Sequence, residues 1–438
     1  MFLKRGNLLV VFILLAILFG GGYFFIFRGN IYHSRETIVS SNQSETSAST
    51  SAINIPIPVP TPTPASLPQK LSNPPEIIKA VYVTGYSAGS KKYLDYLDKL
   101  FKNTEINAVV VDIKESDGKV SYNSEVEEVQ RYGLYNGAIK DVNALVEFFH
   151  DRDIYVIGRI VVFLDPIYSK IRPDLAIYNK PYPVTTEEQT PTLWKDYKGA
   201  TWLDPTAKGA WDYNISLAKN GFYHGFDEIN FDYIRFPSDG KTQNMSFHLW
   251  DEKTTKAGAL KGFFEYLRQE LTGEKISVDL FGQVTTNRDD MGIGQLLEYA
   301  FASFDYISPM VYPSHYINGF MGFSNPADHP YEIVKYSMDN ALEREMAFLD
   351  KINNIVLERP ATLENSSEAI IQPTGSIINI SSLAKFRPWL QDFSMKADYT
   401  AGMVRAEIKA TKDSLGDNYA GFMLWNPRNI YTQGAIQK

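Results

Sequence analysis

The chain has 438 residues, of which 44% are hydrophobic and 13% aromatic, so it is long and apolar enough to bury a sizeable core. Its formal net charge is -8, and no window clusters lysine and arginine as a nucleic-acid partner requires. It contains no cysteine, which excludes disulfides, thiolate nucleophiles and cysteine metal sites. Its six histidines show no ligand spacing, so we expect no bound metal or cofactor.

Residues 8–27 form an uninterrupted apolar run, preceded by Lys4 and Arg5. The run matches the roughly 20 residues that span a bilayer, and positive charge before it favours a cytoplasmic N-terminus. We therefore predict a single-pass anchor, with residues 1–7 in the cytoplasm and the rest outside it. A cleaved signal peptide is the alternative, although the run is longer than a typical signal core and no clear cleavage site follows it.

Residues 28–76 are rich in Ser and Thr and then in Pro, with alternating prolines from Pro56 to Pro64. Such a composition has little to bury and behaves as an extended, semi-rigid spacer. We predict a linker here and one folded domain over residues 77–438.

Short β-branched runs alternate with amphipathic helical segments along that domain. The predicted strands are residues 80–86, 107–113, 155–162, 226–234, 276–281, 306–312, 387–393 and 421–425. Helices between successive strands indicate a parallel sheet, and eight such units are typical of a (β/α)8 TIM barrel. A doubly wound open sheet is the alternative, but no Gly-rich phosphate motif follows the first strand.

The fourth predicted strand carries carboxylates where apolar residues are expected. If Ile229 and Phe231 face the covering helices, then Glu228, Asn230 and Asp232 face the barrel interior. Buried carboxylates are costly unless they are paired or functional. Because active sites of barrels lie at the C-terminal ends of strands, we predict a catalytic role for Asp232. The deeper Glu228 and Asn230 are predicted to contact substrate or to form structural pairs.

Other strands also end in charged residues. Asp112 and Lys114 share one predicted face and either line a site or form an internal salt bridge, and Arg159 is expected to neutralise nearby carboxylates. Asp204 precedes a proline at a predicted helix start, which favours an N-cap. Asp279 is a candidate general acid because desolvation raises a carboxyl pKa, and a structural pair with Arg159 or Lys114 is its alternative.

Aromatic and amide side chains follow several strand ends, a combination that suits sugar rings with an apolar face and a hydroxyl rim. Any single aromatic residue of this kind can equally fill the barrel mouth. The predicted substrate-binding residues are Glu228, Asn230, Arg235, Tyr312, Gln391, Asp392, Trp425 and Asn426.

Five segments occur in an order that resembles a bacterial family of glycoside-hydrolase-like domains of unknown function, the DUF4015 type, related to α-amylase-like barrels. They are residues 226–237 (FDEINFDYIRFP), 278–282 with 292–295, 306–316 (YISPMVYPSHY), 387–393 (RPWLQDF) and 424–427 (LWNP). The resemblance covers residues 77–431. It implies a barrel fold and hydrolysis of glycosidic bonds.

The resemblance to α-amylase-like barrels also implies roles for three acids. Asp232 would be the nucleophile, or the base of an inverting enzyme, Asp279 the general acid and Asp392 the third acid. The sequence departs from that pattern, since the fifth-strand acid is Asp and not Glu, and Asn230 stands where an Arg is expected. Chitinase-like chemistry is disfavoured, because Ile234 occupies the position of its catalytic Glu.

We therefore predict a membrane-anchored, extracytoplasmic glycoside hydrolase that cleaves a polysaccharide by a two-carboxylate mechanism. One alternative is a non-catalytic carbohydrate-binding barrel, in which Asp232 and Asp279 lie far apart or are capped by Arg or Lys. Another is a cell-surface structural factor without an open acidic cleft. Residues 358–382 read as an insertion before the seventh strand, either gating the mouth or forming a surface loop.

Overall fold

The computed structural model describes residues 67–183, 191–251, 253–358 and 383–437. They belong to one compact unit, Leu67–Lys438. The predicted anchor at residues 8–27 and nearly all of the predicted insertion at 358–382 lie outside the described residues. Within the described ranges, no helix combines the length and apolarity needed to cross a bilayer.

The unit is built on a nine-stranded parallel sheet. Its strands are β1 (Ile78–Val83), β2 (Ala108–Lys114), β3 (Tyr155–Val161), β4 (Glu228–Asp232), β5 (Lys275–Phe281), β6 (Tyr306–Met310), β7 (Lys385–Phe386), β8 (Trp389–Gln391) and β9 (Gly421–Trp425). β7 and β8 are separated only by Arg387 and Pro388 and share one strand position. The eight positions coincide with the eight predicted strands.

The sheet closes on itself. Strand β1 pairs with β2 on one side and with β9 on the other. Strand β8 joins β9 to β6, where Trp389 is opposite Met310. The closed ring confirms the predicted TIM barrel and rules out the doubly wound open sheet.

Helices surround the barrel. The α-helices are α1 (Gly85–Ala88), α2 (Lys91–Asn103), α3 (Glu127–Tyr132), α4 (Val142–His150), α5 (Tyr168–Ile171), α6 (Lys208–Tyr223), α7 (Lys256–Glu270), α8 (Leu297–Ala300), α9 (Pro330–Glu358) and α10 (Ala401–Leu415). Helix α2 buries Leu97, Leu100 and Phe101, at the i, i+3, i+4 spacing of one helical face. A short antiparallel pair, Tyr178–Asn179 with Met245–Ser246, joins the loops that follow β3 and β4.

Two apolar clusters hold the fold together. The larger lies between strands and helices and includes Ile229 and Phe231 of β4. The smaller fills the barrel interior with residues such as Val110, Ile157 and Met423. The two faces of each strand therefore serve different layers, and the interior-facing residues of β4 are those predicted from its alternation.

The compact unit begins before Ile77, where the sequence placed the domain boundary. The backbone N–H of Leu71 donates to Asp227 Oδ1 at 2.7 Å, and the Leu71 side chain packs against the interior cluster. Asp227 precedes β4, so Leu71 lies at the N-terminal end of the barrel. The last residues of the predicted linker therefore cover the end of the barrel opposite the candidate site.

Candidate active site at the barrel mouth

The candidate site begins where β4 ends, at Asp232. The next residue, Tyr233, has a φ of 51°, a left-handed conformation that side chains other than glycine rarely adopt. Its N–H donates to Asp232 Oδ1 at 2.6 Å. The chain turns sharply away from the barrel here, and the Asp232 carboxylate stays at the mouth.

Arg159 on β3 joins two carboxylates. Its Nη1 donates to Asp112 Oδ1 at 2.6 Å, and its Nε and Nη2 donate to Asp232 Oδ2 at 3.2 and 2.5 Å. The Tyr82 hydroxyl donates to the second Asp112 oxygen at 2.5 Å. Burial raises the pKa of Asp112, while the charge of Arg159 opposes that rise. Arg159 is the neutralising cation that the sequence suggested.

Asp279 on β5 is 1% exposed and is surrounded by neutral donors. Its Oδ1 accepts from Trp389 Nε1 at 2.7 Å and from Asn230 Nδ2 at 2.9 Å. Burial raises the pKa of Asp279 well above its usual value, and the charge of Asp232 raises it further. The structure forms neither of the pairs considered for Asp279, with Arg159 or with Lys114.

The two candidate carboxyls are neighbours. In the ladder between β4 and β5, Phe231 is opposite Val278, so Asp232 and Asp279 are the next residues on adjacent strands. Adjacent strands lie about 4.8 Å apart, which places the two side chains at one level of the barrel. Of the two, Asp232 is held by a cation, whereas Asp279 is held by an indole and an amide.

Glu228 and Asn230 lie deeper, as predicted. Glu228 is fully buried and forms a bidentate ion pair with Arg387, with Nη1 to Oε2 at 3.1 Å, and it accepts from Ser277 Oγ at 2.5 Å. Asn230 donates from Nδ2 to Ser277 as well as to Asp279, while its Oδ1 is buried without a hydrogen-bond partner in the described structure. Glu228 therefore has the contacts of an internal ion pair below the site.

The possible salt bridge between Asp112 and Lys114 is not formed. The register between β2 and β3 shifts after Asp112, and the extra residue turns Lys114 out of the barrel interior. Lys114 Nζ instead lies 2.8 Å from Asp165 and 3.1 Å from Asn214 of helix α6. The prediction treated β2 as a regular strand, whereas the bulge places its last residue, Lys114, on the opposite face.

Asp204 is not an N-cap residue, so this prediction was wrong. Asp204 Oδ1 accepts from the N–H and the hydroxyl of Thr206, which closes a turn. Helix α6 begins at Lys208, and its N-cap residue is Ala207. Asp204 thus stabilises the approach to the helix and does not cap it.

Three of the predicted substrate-binding residues tie loops together. Asp392 accepts from the Thr432 N–H at 2.8 Å and from its hydroxyl at 2.6 Å. Gln391 accepts from Ser314 N at 3.2 Å, and Asn426 donates to the Asp392 carbonyl. All three are at most 5% exposed. Their contacts shape the rim between β6, β8 and β9.

Tyr312 and Trp425 belong to an aromatic cluster on that rim. Their rings lie 5.5 Å apart, and Phe393 packs edge-on against Trp425 at 5.0 Å. Burial lowers the pKa of the neighbouring His315 to about 3, so this imidazole is neutral near pH 7. Side chains that stay partly exposed at the mouth are Tyr82, Arg159, Tyr233, Phe281, Met310, Phe393 and Trp425. The mouth is thus largely aromatic.

Arg235 lies beside the site in an aromatic cage. Its guanidinium is 5.1 Å from the ring centroids of Trp202 and Tyr233 and 4.7 Å from that of Phe281. It donates to the Phe236 carbonyl at 3.1 Å. Burial lowers the pKa of Arg235. Arg235 therefore lies next to the end of β5 and forms part of the wall of the mouth.

Glu115 is a titratable residue that the sequence reading missed. It follows Lys114 at the end of β2, and its Oε1 is buried with no hydrogen-bond partner among the described residues. Burial raises the pKa of Glu115 to about 7, and the charges of Asp112 and Asp117 contribute. Its place at the C-terminal end of β2, where the active sites of barrels lie, is the sequence signal that identifies it.

The sequence matches the model of the family described as "Putative glycosyl hydrolase domain", DUF4015, over residues 80–431. The chain belongs to this family. The match reaches all eight strand positions, the first of them from Ala80 onward, and agrees with the resemblance inferred from the five motifs. No curated protein sequence matches the chain.

Several solved structures are similar. A hypothetical protein from Ruminiclostridium thermocellum ATCC 27405 is 37% identical, over 49% of this chain and 98% of that one, with a TM-score of 0.41. An α-galactosidase from Thermus thermophilus is 11% identical, over 82% of this chain and 60% of that one, with a TM-score of 0.44. A spore cortex-lytic enzyme from Bacillus megaterium QM B1551 is 11% identical, over 83% and 73%, with a TM-score of 0.41.

Proposed function

We propose that this member of the glycosyl hydrolase family is a membrane-anchored, extracytoplasmic enzyme that cleaves a polysaccharide with two carboxyls, Asp232 and Asp279. The observation that carries the proposal is the pair itself. The two acids stand side by side on β4 and β5, one with a cation and one without. A glycosidase needs one carboxyl that is protonated, as the general acid, and one that is charged, as the nucleophile or base. Contrasting environments are what set two carboxyls apart in this way.

Each carboxyl has a chemical task in this proposal. Asp279 acts in its protonated form, which burial and the charge of Asp232 favour because both raise its pKa. It gives its proton to the glycosidic oxygen as the bond to the anomeric carbon breaks. Asp232 either attacks that carbon or removes a proton from the water that does so. Water completes the reaction in both cases and leaves two sugar ends.

The aromatic mouth supports a sugar substrate. Trp425, Tyr233 and Phe281 are partly exposed around the two acids, and such rings stack on the apolar faces of sugars. Arg235 holds the Tyr233 and Phe281 rings in place from behind. The predicted binding residues Gln391, Asp392 and Asn426 act on substrate through the shape of the rim, since their polar atoms bond to neighbouring loops. Tyr312 acts through its place in the aromatic cluster.

The test is release of reducing ends from a panel of bacterial and plant polysaccharides by the full-length protein. Asp232→Asn should lower the rate by at least about 10³-fold, because it removes the negative charge at the reacting carbon. Asp212→Asn is the matched control, since Asp212 is half exposed on helix α6 and pairs only with surface groups. Equal activity of the Asp232 variant and the wild type would refute the proposal.

A second candidate is the non-catalytic carbohydrate-binding barrel. Two observations favour it: Arg159 covers one oxygen of Asp232, and Asp279 is 1% exposed. In that case no glycan is cleaved, and Asp232→Asn binds the glycan as tightly as the wild type. The reducing-end assay and a binding titration on the same two proteins separate the candidates.

The proposed membrane topology has its own test. The chain contains no cysteine, so a single introduced cysteine reports its own location. A membrane-impermeant maleimide applied to intact cells should label Ser51→Cys, in the linker, but should label Asn7→Cys only after lysis. Labelling of both variants, or of neither, in intact cells would contradict an anchor at residues 8–27 with this orientation.

A further inference from the structure

A pocket lies beside the mouth, on the loops that follow β3 and β4. It has a volume of about 650 Å3, and its lining includes Lys170, Lys195, Lys241, Trp194, Asp196 and Tyr197. Ligand pockets in proteins commonly measure about 300–1,000 Å3. Loops after β3 and β4 emerge at the C-terminal face, so the pocket opens on the same face as Asp232.

The wall of the pocket is held rigidly. Trp194 is 1% exposed, and its Nε1 donates to the Lys241 carbonyl at 3.0 Å. Gly240 has a φ of 93°, and a Cβ there would lie 2.6 Å from the Trp194 ring, so only glycine permits this close approach. Lys195 and Thr201 are bridged across a tight turn that presents Tyr197. The pocket is therefore formed before any ligand binds.

The charge of the pocket is positive. Lys170, Lys195 and Lys241 line it, and none of them lies within 4.0 Å of a carboxylate in the described part of the chain. The lining carboxylate, Asp196, is already used, since Oδ1 accepts from the N–H groups of Lys198 and Ala200. Three ammonium groups without a carboxylate partner among the described residues stand out in a protein whose net charge is -8.

The pocket also has features that suit a sugar. Tyr197 is 49% exposed in its lining, and an exposed aromatic ring can stack on the apolar face of a pyranose. The Thr192 hydroxyl accepts from Asn179 Nδ2 at 3.1 Å and can donate its own proton to a sugar hydroxyl. Trp202 connects the pocket with the candidate acids. Its Nε1 donates to Asp196 Oδ2 in the pocket lining, and its ring lies 5.8 Å from the ring of Tyr233, the residue after Asp232.

We propose that this pocket is a subsite for a negatively charged sugar unit, so that the substrate is an acidic glycan. The inference rests on the proposed function and narrows its substrate class. The ligand is thus a saccharide that carries an anionic group, either a carboxylate or a phosphate. The lysines neutralise that charge while Tyr197 stacks on the ring, and the chain then continues over the aromatic mouth to Asp232 and Asp279.

The test is calorimetric titration of full-length protein carrying Asp232→Asn, so that no ligand is consumed. The probes are trigalacturonate for a carboxylate, glucose 1-phosphate for a phosphate, maltotriose as the neutral match, and inorganic phosphate. We expect one or both of the charged saccharides to bind more tightly than maltotriose. Salt should weaken their binding, because exposed charge pairs are screened.

The decisive variant replaces Lys170, Lys195 and Lys241 together with glutamine. It should weaken binding of the charged saccharide about tenfold, because three exposed charge pairs each contribute modestly. The matched control replaces Lys92, Lys99 and Lys412, which are exposed lysines on helices α2 and α10, and removes the same net charge. The control should change the affinity less than about twofold.

Three results would overturn the inference: no charged saccharide binds more tightly than maltotriose, both triple variants weaken binding equally, or inorganic phosphate competes as well as the saccharides. These results leave the proposed function intact if Asp232 is still required for reducing-end release. Conversely, charged-saccharide binding that depends on the pocket lysines, in a protein that cleaves no glycan, would refute catalysis and keep the subsite.

Discussion

Arg159 binds Asp232 through two nitrogens, Nε and Nη2, that donate to the same carboxylate oxygen at 3.2 and 2.5 Å. The guanidinium therefore places a positive charge directly against the carboxylate at the end of β4. The same guanidinium holds Asp112 on β2. One residue thus fixes acids from two strands and links the candidate site to the packing of the barrel.

Removing this cation should be costly to the fold. Arg159→Met leaves Asp112 and Asp232 buried without their counter-charge, and breaking a buried pair typically costs about 3–5 kcal/mol. Arg172→Met is the comparison, because its pair with Asp174 is 37% and 58% exposed and such pairs contribute about 0–1 kcal/mol. Urea unfolding of both variants measures the difference. Equal losses would show that the Arg159 network does not stabilise the barrel.

Glu115 predicts a pH dependence of stability. Its pKa in the folded protein is about 7, above the ordinary value of 4.5, because of burial first and of Asp112 and Asp117 next. The folded state therefore holds a proton that the unfolded state releases, so the contribution of Glu115 is fully present below about pH 4.5 and is lost as pH rises through 7.

Glu115→Gln should remove this dependence. The stability of wild type relative to the variant should fall between pH 4.5 and 7, as followed by thermal melts at closely spaced pH values. Glu127→Gln, at an exposed position on helix α3, provides the control and should show no such fall. A constant difference between wild type and Glu115→Gln across this range would mean that Glu115 titrates normally.

The buried ion pair between Glu228 and Arg387 predicts that substitutions at these two positions have strongly non-additive effects on the free energy of unfolding. Both side chains are 0% exposed. Glu228→Met and Arg387→Met should each cost about 3–5 kcal/mol, while the double variant should lose much less than the sum, because no charge is left unpaired. The exposed pair Lys219–Glu270 should show a coupling below about 1 kcal/mol. Additive losses at Glu228 and Arg387 would point to separate roles, including the substrate contact predicted for Glu228.

The architecture could be predicted because the deciding signals are local. Most barrel strands are short apolar runs in the sequence, and the alternation along β4 alone places Glu228, Asn230 and Asp232 inside. That Asp232 and Asp279 lie side by side followed from their positions at the ends of adjacent parallel strands. No knowledge of distant contacts was needed for either inference.

The partners of the polar residues could not be predicted in this way. One inserted residue in β2 turns Lys114 toward Asp165, and no local pattern marks that bulge. Asp392 bonds to Thr432, 40 positions away, because the loops after β8 and β9 meet in space. Whether a strand-end acid faces substrate or fastens a loop depends on such long-range contacts.

Trp389 tests the assignment of Asp279 as the acid. Its Nε1 donates to Asp279 Oδ1 at 2.7 Å, and a hydrogen bond to a carboxylate favours the charged form and so lowers its pKa. Trp389→Phe keeps most of the apolar surface and removes that donor, so the pKa of Asp279 should rise further. A general acid acts while protonated. The alkaline limb of the kcat/KM profile should therefore move upward by about one pH unit.

The control for this shift is Trp250→Phe, which removes an indole donor that bonds to Thr254 in the loop before helix α7. It should leave the pH profile unchanged. The profile would be measured on whichever glycan the wild type cleaves, with kcat and KM followed separately, because a merely structural effect of Trp389 would lower activity at every pH alike. An alkaline limb that stays in place in Trp389→Phe would assign the proton transfer to another group, for which Glu115 is the next acid at the mouth.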